Sequence, residues 1–152
     1  MIDGVIVKSI KRYEDSRGWL CEVFRQDELD PIHLPVMGYV SVTAPGVVRG
    51  PHEHREQTDL FAFLGPSDFK ICLWDRRTGS KTYGNYFEVI AGESNRSTVI
   101  VPPGVVHGYK NIGAVSGTVL NFANRLYRGK GGKGDIDEIR HEDDPNSGFV
   151  IE

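Results

Sequence analysis

The chain is cut into short apolar runs by turn residues, and that punctuation restricts its fold more than any other feature. Segments rich in Val, Ile, Phe, Tyr and Thr alternate with Gly, Pro, Asn and Asp, the rhythm of an all-β sandwich or barrel. The runs predict strands at residues 5–10, 19–25, 37–43, 47–50, 58–64, 69–75, 83–90, 97–101, 107–112 and 117–123. Helical periodicity is weak, with one turn at most at 26–30, which disfavours an α/β reading. Turn chemistry is densest where strands must reverse: Ala44-Pro45-Gly46, Gly65-Pro66, Arg77-Thr78-Gly79 and Pro102-Pro103-Gly104. A length of 152 residues fits one domain, 1–152, with 127–152 less regular than the rest. Within 127–137 the run Gly-Lys-Gly-Gly-Lys-Gly-Asp is expected to be a mobile, solvated loop, because no strand and helix flank it as a phosphate-cradling loop requires. Trp19, Phe61, Phe63, Phe69, Trp74, Tyr83 and Phe87 recur at strand spacing and are expected mainly in the core.

A charged fraction of 26% with a formal net charge of −3 excludes a strongly nucleic-acid-binding surface, so any phosphate contact must come from a local cluster. Cys21 and Cys72 stand far apart in strand-like surroundings and are expected as buried free thiols, which suits the cytoplasm. No apolar run approaches the roughly 18 residues of a membrane span, and the first ten residues lack a signal-peptide pattern, so neither membrane nor export is expected.

The chemistry concentrates on histidine. His52 and His54 are two apart, so on a strand both imidazoles face one side and can share a pocket. Asp59 follows shortly after, and Pro102-Pro103-Gly104-Val105-Val106-His107 leads to Asn111 in a second histidine-bearing hairpin. His33 and His141, in polar loop settings, are expected to be hydrogen-bonded structural residues. The pattern from Gly46 through His52, His54 and Asp59, with the later Pro-x-Gly-x2-His-x3-Asn, resembles the cupin superfamily of small β-barrels; Asp59 replaces the usual Glu.

The resemblance narrows further. Asp15-Ser16-Arg17-Gly18-Trp19 with Glu22 and Phe24-Arg25 is similar to the opening of the dTDP-4-dehydrorhamnose 3,5-epimerase family. So are Gly46-Val47-Val48-Arg49-Gly50-Pro51-His52, the stretch from Asp75 to Gly84, and Pro103-Gly104-Val105-Val106-His107-Gly108-Tyr109. This resemblance implies an enzyme that removes and returns a proton next to the C4 ketone of a nucleotide-linked 4-keto-6-deoxy sugar. It places His52 as base, with Arg17 and Arg49 as substrate-holding cations and Glu22, Ser41 and His107 as further pocket residues. It also implies a homodimer, with Arg17 reaching the partner's pocket, and no required cofactor.

Three positions depart from the family pattern. Gln57-Thr58-Asp59 puts an acid where the family has the lysine that steadies the enolate. Asn121 stands where the family has its catalytic tyrosine, if Tyr127 is that pattern's second tyrosine. The C-terminal segment that supplies an aspartate behind the base is expected to be missing. The same changes allow another reading, since His52, His54, Asp59 and His107 form a three-nitrogen, one-oxygen set that suits a divalent transition metal. Two further alternatives stay open. Arg49-Gly50-Pro51-His52-Glu53-His54-Arg55 is similar to a motif of sugar-nucleotide 3,4-ketoisomerases, in which His52 and His54 would shuttle a proton between neighbouring carbons. A non-catalytic sugar-nucleotide-binding cupin is the other.

Overall fold

The computed structural model describes residues 1–152. Twelve strands follow in order: β1 (Ile6–Ser9), β2 (Arg12–Asp15), β3 (Gly18–Cys21), β4 (Met37–Thr43), β5 (Val48–Glu53), β6 (Asp59–Gly65), β7 (Asp68–Asp75), β8 (Tyr86–Gly92), β9 (Ser97–Val101), β10 (Val105–Asn111), β11 (Gly117–Ala123) and β12 (Ile139–Arg140). Three short 3₁₀ turns, the first at Gln26–Glu28, are the only helical elements, and none is long and apolar enough to cross a membrane. Two antiparallel five-stranded sheets form the body, in the orders β1-β9-β6-β11-β4 and β12-β5-β10-β7-β8, and β2 and β3 make a separate hairpin. The architecture is a jelly roll, the barrel that the resemblance to the cupins implies.

Inward-facing residues of both sheets build one core. Phe61, Phe63, Phe69, Ile71, Leu73, Val99, Val105, Tyr109 and Val119 are all buried in one cluster. The Tyr109 ring meets Phe63 and Phe69 edge-on, with centroids 5.5 Å apart in each pair, an arrangement that adds to the area term. Two of the expected core aromatics lie outside. Trp19 is exposed on the β2–β3 hairpin with Arg12 and Arg96 over its ring, and Tyr83 is exposed in the turn before β8. Cys72 is buried as expected, whereas Cys21 at the end of β3 is only partly covered.

Two motifs prove to be scaffold. The Asp75 carboxylate takes Arg77 Nε at 2.8 Å, Ser80 Oγ at 2.6 Å and Thr82 Oγ1 at 2.7 Å, which ties the loop between β7 and β8. Asn111 accepts from Ser67 Oγ at 2.6 Å and donates to the Thr43 and Val115 carbonyls at 2.8 Å, so it fastens a turn inside the barrel.

The structure differs from the sequence expectation at both ends. The strand expected at 19–25 stops at Cys21 and pairs with β2, whose residues Arg-Tyr-Glu-Asp are all exposed and carry no apolar alternation to reveal them. The segment 127–152 contains β12, which pairs Ile139 with Glu53 and Arg140 with His52. Two residues are too few to leave a periodic signal, and only the partner strand defines them.

Candidate active site

His52 and His107 are direct partners across the β5–β10 ladder, which sets their ring centroids 4.6 Å apart. Close approach of the strands depends on Gly50. With φ +80 it occupies the left-handed region, and a Cβ there would lie 2.8 Å from the His107 carbonyl and 3.1 Å from His52 Nδ1. His54 follows just past the end of β5, its ring 5.7 Å from that of His52, so the two-residue spacing does bring both imidazoles to one side. Glu53 points the other way, where Arg76 Nη1 donates to it at 2.5 Å and His141 Nε2 lies 3.0 Å from it. His141 is thus a structural partner as expected, although it is buried and not in an open loop. His33 lies elsewhere in a 3₁₀ turn, its buried Nδ1 without the hydrogen bond expected of it.

Asp59 reaches the histidines from the facing sheet, at the first position of β6, and is fully buried. Its Oδ2 lies 3.1 Å from His54 Nε2 and 3.2 Å from His107 Nε2. Its Oδ1 accepts from Gln57 Nε2 at 2.8 Å and Asn121 Nδ2 at 2.9 Å. One ligand atom from each of His52, His54, Asp59 and His107 falls within 4.8 Å of the others, so the four residues form one cluster.

Burial opposes the Asp59 charge, but the His107 and His54 imidazoles outweigh it and hold the carboxyl well below the usual range. Burial likewise opposes charge on His54, and there the Asp59 carboxylate and the Asp137 carbonyl prevail, raising it to about 9. His52 goes the other way: burial first, then the charges of His107 and His54, push it down to about 2.

A cavity of about 860 Å³ opens beside this cluster, within the size range of small-molecule sites. His52 and His54 line it from one sheet and Tyr39 from the other, and the segment after β11 supplies Arg125, Tyr127 and Arg128 at its rim. Residues 134–138 line one wall, at the end of a loop that is exposed over 127–136 as expected. The Asp137 carboxylate accepts the backbone N–H groups of Arg55 at 3.0 Å, Glu56 at 3.0 Å and Gln57 at 2.8 Å, and its carbonyl contacts His54 Nδ1. Glu138 then lies with Oε1 3.8 Å from His52 Nδ1. A carboxylate therefore stands beside His52, from the residue just before β12. Tyr39, Asp137 and Glu138 are not evident from the sequence because none belongs to a spaced motif, and Gln57, which enters there only as the start of Gln57-Thr58-Asp59, gives no sign of holding Asp59.

The other residues singled out from sequence divide. Asn121 is buried against Asp59, and Tyr127 is at the rim. Ser41 lies deeper, its Oγ 3.0 Å from Tyr109 Oη. Arg49 is turned toward β4, with Nε on Thr43 Oγ1 and a terminal nitrogen on the Val42 carbonyl, both at 2.8 Å. Arg17 sits in the exposed β2–β3 turn paired with Asp15, and Glu22, beside Arg25, lines a separate surface groove. Within one chain, Arg49, Arg17 and Glu22 do not line the cavity.

Comparison with known proteins identifies the family and the fold. Residues 1–133 match the dTDP-4-dehydrorhamnose 3,5-epimerase family. The spore coat polysaccharide biosynthesis protein SpsL of Bacillus subtilis is 35% identical over 127 residues, covering 84% of this chain and 83% of its own length. The probable low-salt glycan biosynthesis epimerase Agl13 of Haloferax volcanii is 36% identical over 131 residues, with 83% and 81% covered. A dTDP sugar isomerase from Desulfovibrio desulfuricans has the same cupin-type fold, with a TM-score of 0.84 at 22% identity over 98% of this chain and 91% of that one. This chain therefore belongs to the dTDP-4-dehydrorhamnose 3,5-epimerase family of sugar-nucleotide epimerases.

Proposed function

We propose that the protein is a nucleotide-sugar epimerase in which His52 abstracts a proton α to the C4 ketone of a dTDP-linked or similarly activated 4-keto-6-deoxy sugar. The observation that carries this reading is the pairing of His52 with His107 at the wall of a cavity, with Glu138 3.8 Å behind the His52 ring. A proton next to a carbonyl leaves only if a base takes it while positive charge steadies the developing enolate. Glu138 favours the tautomer with Nδ1–H turned toward it, which leaves Nε2 as the basic atom. Burial and the neighbouring imidazoles disfavour a proton on His52 in the free protein. Its basicity rises as the surrounding positive charge is offset by an anionic diphosphate substrate.

Positive charge comes from His54. Nδ1 contacts the Asp137 carbonyl, and Nε2 lies 3.1 Å from Asp59 Oδ2 and 3.2 Å from the Gln57 amide nitrogen; the carboxylate and the carbonyl raise its pKa to about 9 and so favour an imidazolium beside the cavity. The site thus regains the cation that Asp59 displaced. Arg125 and Arg128 at the rim supply charge for the diphosphate. The assembly that fits this reading is a cytoplasmic homodimer in which the β2–β3 hairpin carries Arg17 to the partner. Its support is the edge strand β4, which leaves Val40 and Val42 exposed, together with the two free cysteines.

The test is solvent exchange. Incubated with a dTDP-4-keto-6-deoxy sugar in deuterated water, the protein is expected to place deuterium at C3 or C5, and His52→Asn to abolish this. No incorporation overturns the reading, and a product with its ketone moved to C3 would instead make it a 3,4-ketoisomerase.

A second reading rests on polar atoms without partners. Asp59 Oδ2 and His107 Nε2 are buried and lack a directed hydrogen bond although they lie 3.2 Å apart. His107 Nδ1 is engaged by the Val105 carbonyl at 2.9 Å, so a proton or a cation has to separate Nε2 from the carboxylate. The donor set fits a divalent transition metal held by His52, His54, Asp59 and His107. Such an ion would polarise the ketone oxygen as a Lewis acid. The readings divide at His54, whose Nε2 is protonated in the first and bare in the second. Metal analysis of protein purified without chelator, beside His54→Ala, decides between them: no metal in either dismisses the ion.

A further inference from the structure

Inversion at carbon needs a second proton carrier on the side of the sugar opposite the base. His52 sits on β5, and β5 belongs to one sheet while β4 and β11 belong to the other. Among the side chains that line the cavity from that second sheet, Tyr39 on β4 is the one that carries an acidic O–H. It is held in place: Asn121 is its direct partner across the β4–β11 ladder and donates Nδ2–H to Tyr39 Oη at 2.8 Å. The same Asn121 nitrogen is fixed by Asp59 Oδ1 at 2.9 Å. Tyr127 also lines the cavity, but it follows the end of β11, and its phenol makes no hydrogen bond; only its backbone is held, by Met37 Sδ.

From this placement we infer that Tyr39 is the acid that delivers a proton to the substrate carbanion from the face opposite His52, with Asn121 as its positioning residue. The inference rests on the epimerase reading above. The step balances as follows. His52 takes the C–H proton, and the electron pair of that bond passes to the C4 oxygen as an enolate. The enolate pair then returns to carbon and forms a new C–H bond with the proton of Tyr39 as the O–H bond breaks, restoring the ketone and leaving a phenolate. The Asn121 N–H stabilises that phenolate until a proton from water replaces the one delivered, and His52 gives up its own proton to solvent. Before the step the phenol is intact, because burial, partly offset by the Asn121 hydrogen bond, pushes Tyr39 up to about 12.

A structural or substrate-binding tyrosine and an acid differ in what their loss does to two readouts. In deuterated water with a dTDP-4-keto-6-deoxy sugar, the wild type is expected both to wash deuterium into the ring carbon and to form the inverted product. Tyr39→Phe keeps the ring and removes only the proton. Wash-in is expected to stay within about threefold, since His52 can return a solvent deuteron to its own face, while inversion falls by a factor on the order of 100 or more, the usual worth of a positioned acid. Inversion at the wild-type rate overturns the assignment. So does a matched fall of wash-in and inversion in a variant whose circular dichroism and melting are unchanged, because that is the mark of a binding role. Absence of wash-in from the wild type strikes the epimerase reading itself and takes this assignment with it.

Discussion

Replacing Asp59 by Asn tests the electrostatic heart of the site with little change of shape. Asparagine keeps an oxygen for Gln57 and Asn121, which both bind Oδ1, and offers an amide to His54 and His107 where Oδ2 stood. What disappears is the negative charge that raises His54 from 6.5 to about 9. The sign follows from proton binding. Between those two values the folded state holds a proton that the unfolded chain has released, so this contribution is complete below 6.5 and fades as pH rises through about 9. Integrating the shift gives about 3 kcal/mol of stabilisation at about pH 6, most of which is gone beyond about pH 9. Denaturant unfolding of wild type and Asp59→Asn, both dialysed against chelator, is therefore expected to differ by about 3 kcal/mol in mildly acid buffer and to converge in alkaline buffer. A difference that stays constant with pH, or grows toward alkaline pH, refutes the claim that His54 is an imidazolium paired with Asp59.

The wild type should show the same physics as a maximum. His52, pushed down to about 2, makes stability fall as pH drops below 6.5, because the unfolded chain gains a proton that the folded one refuses; His54 makes it fall above 6.5. Unfolding free energy measured across pH is expected to peak near 6.5; a monotonic rise to pH 9 contradicts the His54 assignment, and no loss of stability below 6.5 contradicts the His52 one. Glu138→Gln is expected to lower kcat by a factor of about 10 to 100 with little change in KM, since the glutamine can still contact His52 but carries no charge to favour the Nδ1–H tautomer; an unchanged kcat removes Glu138 from the mechanism. Asp137→Ala orphans the three N–H groups of Arg55, Glu56 and Gln57, at a cost of about 2 kcal/mol for a half-exposed carboxylate hub. Faster amide exchange at 55–57 and earlier proteolysis after residue 126 would register it, and exchange rates equal to wild type would show that the wall stands without this anchor.

What could be read from sequence follows the reach of the interaction concerned. His52 and His54 were legible because strand geometry turns a spacing of two into a shared face, and that rule is local. His107 was legible through the turn that precedes it, where Pro102-Pro103-Gly104 sets the start of β10. Asp59 was visible as a change of residue type, but not as the group that crosses from the opposite sheet to carry two imidazoles. The spaced motifs around Asp75 and Asn111 supported the family resemblance, yet their side chains hold turns, so a motif can report on ancestry while doing scaffold chemistry. Tyr39 and Glu138 were invisible for a different reason. Each depends on a ladder register, Tyr39 with Asn121 and Arg140 with His52, and register is fixed by the whole sheet and not by neighbours in sequence. That distinction bears on how the site tolerates change. Position 121 holds an asparagine where the family resemblance implies a phenol, and one of the two phenols that line the cavity here, Tyr39, comes from the residue directly across the ladder, hydrogen-bonded to that asparagine. A β-sheet places two cross-strand partners within a few ångströms of one point, so a functional group can cross from one strand to the next while the cavity it serves stays where it is.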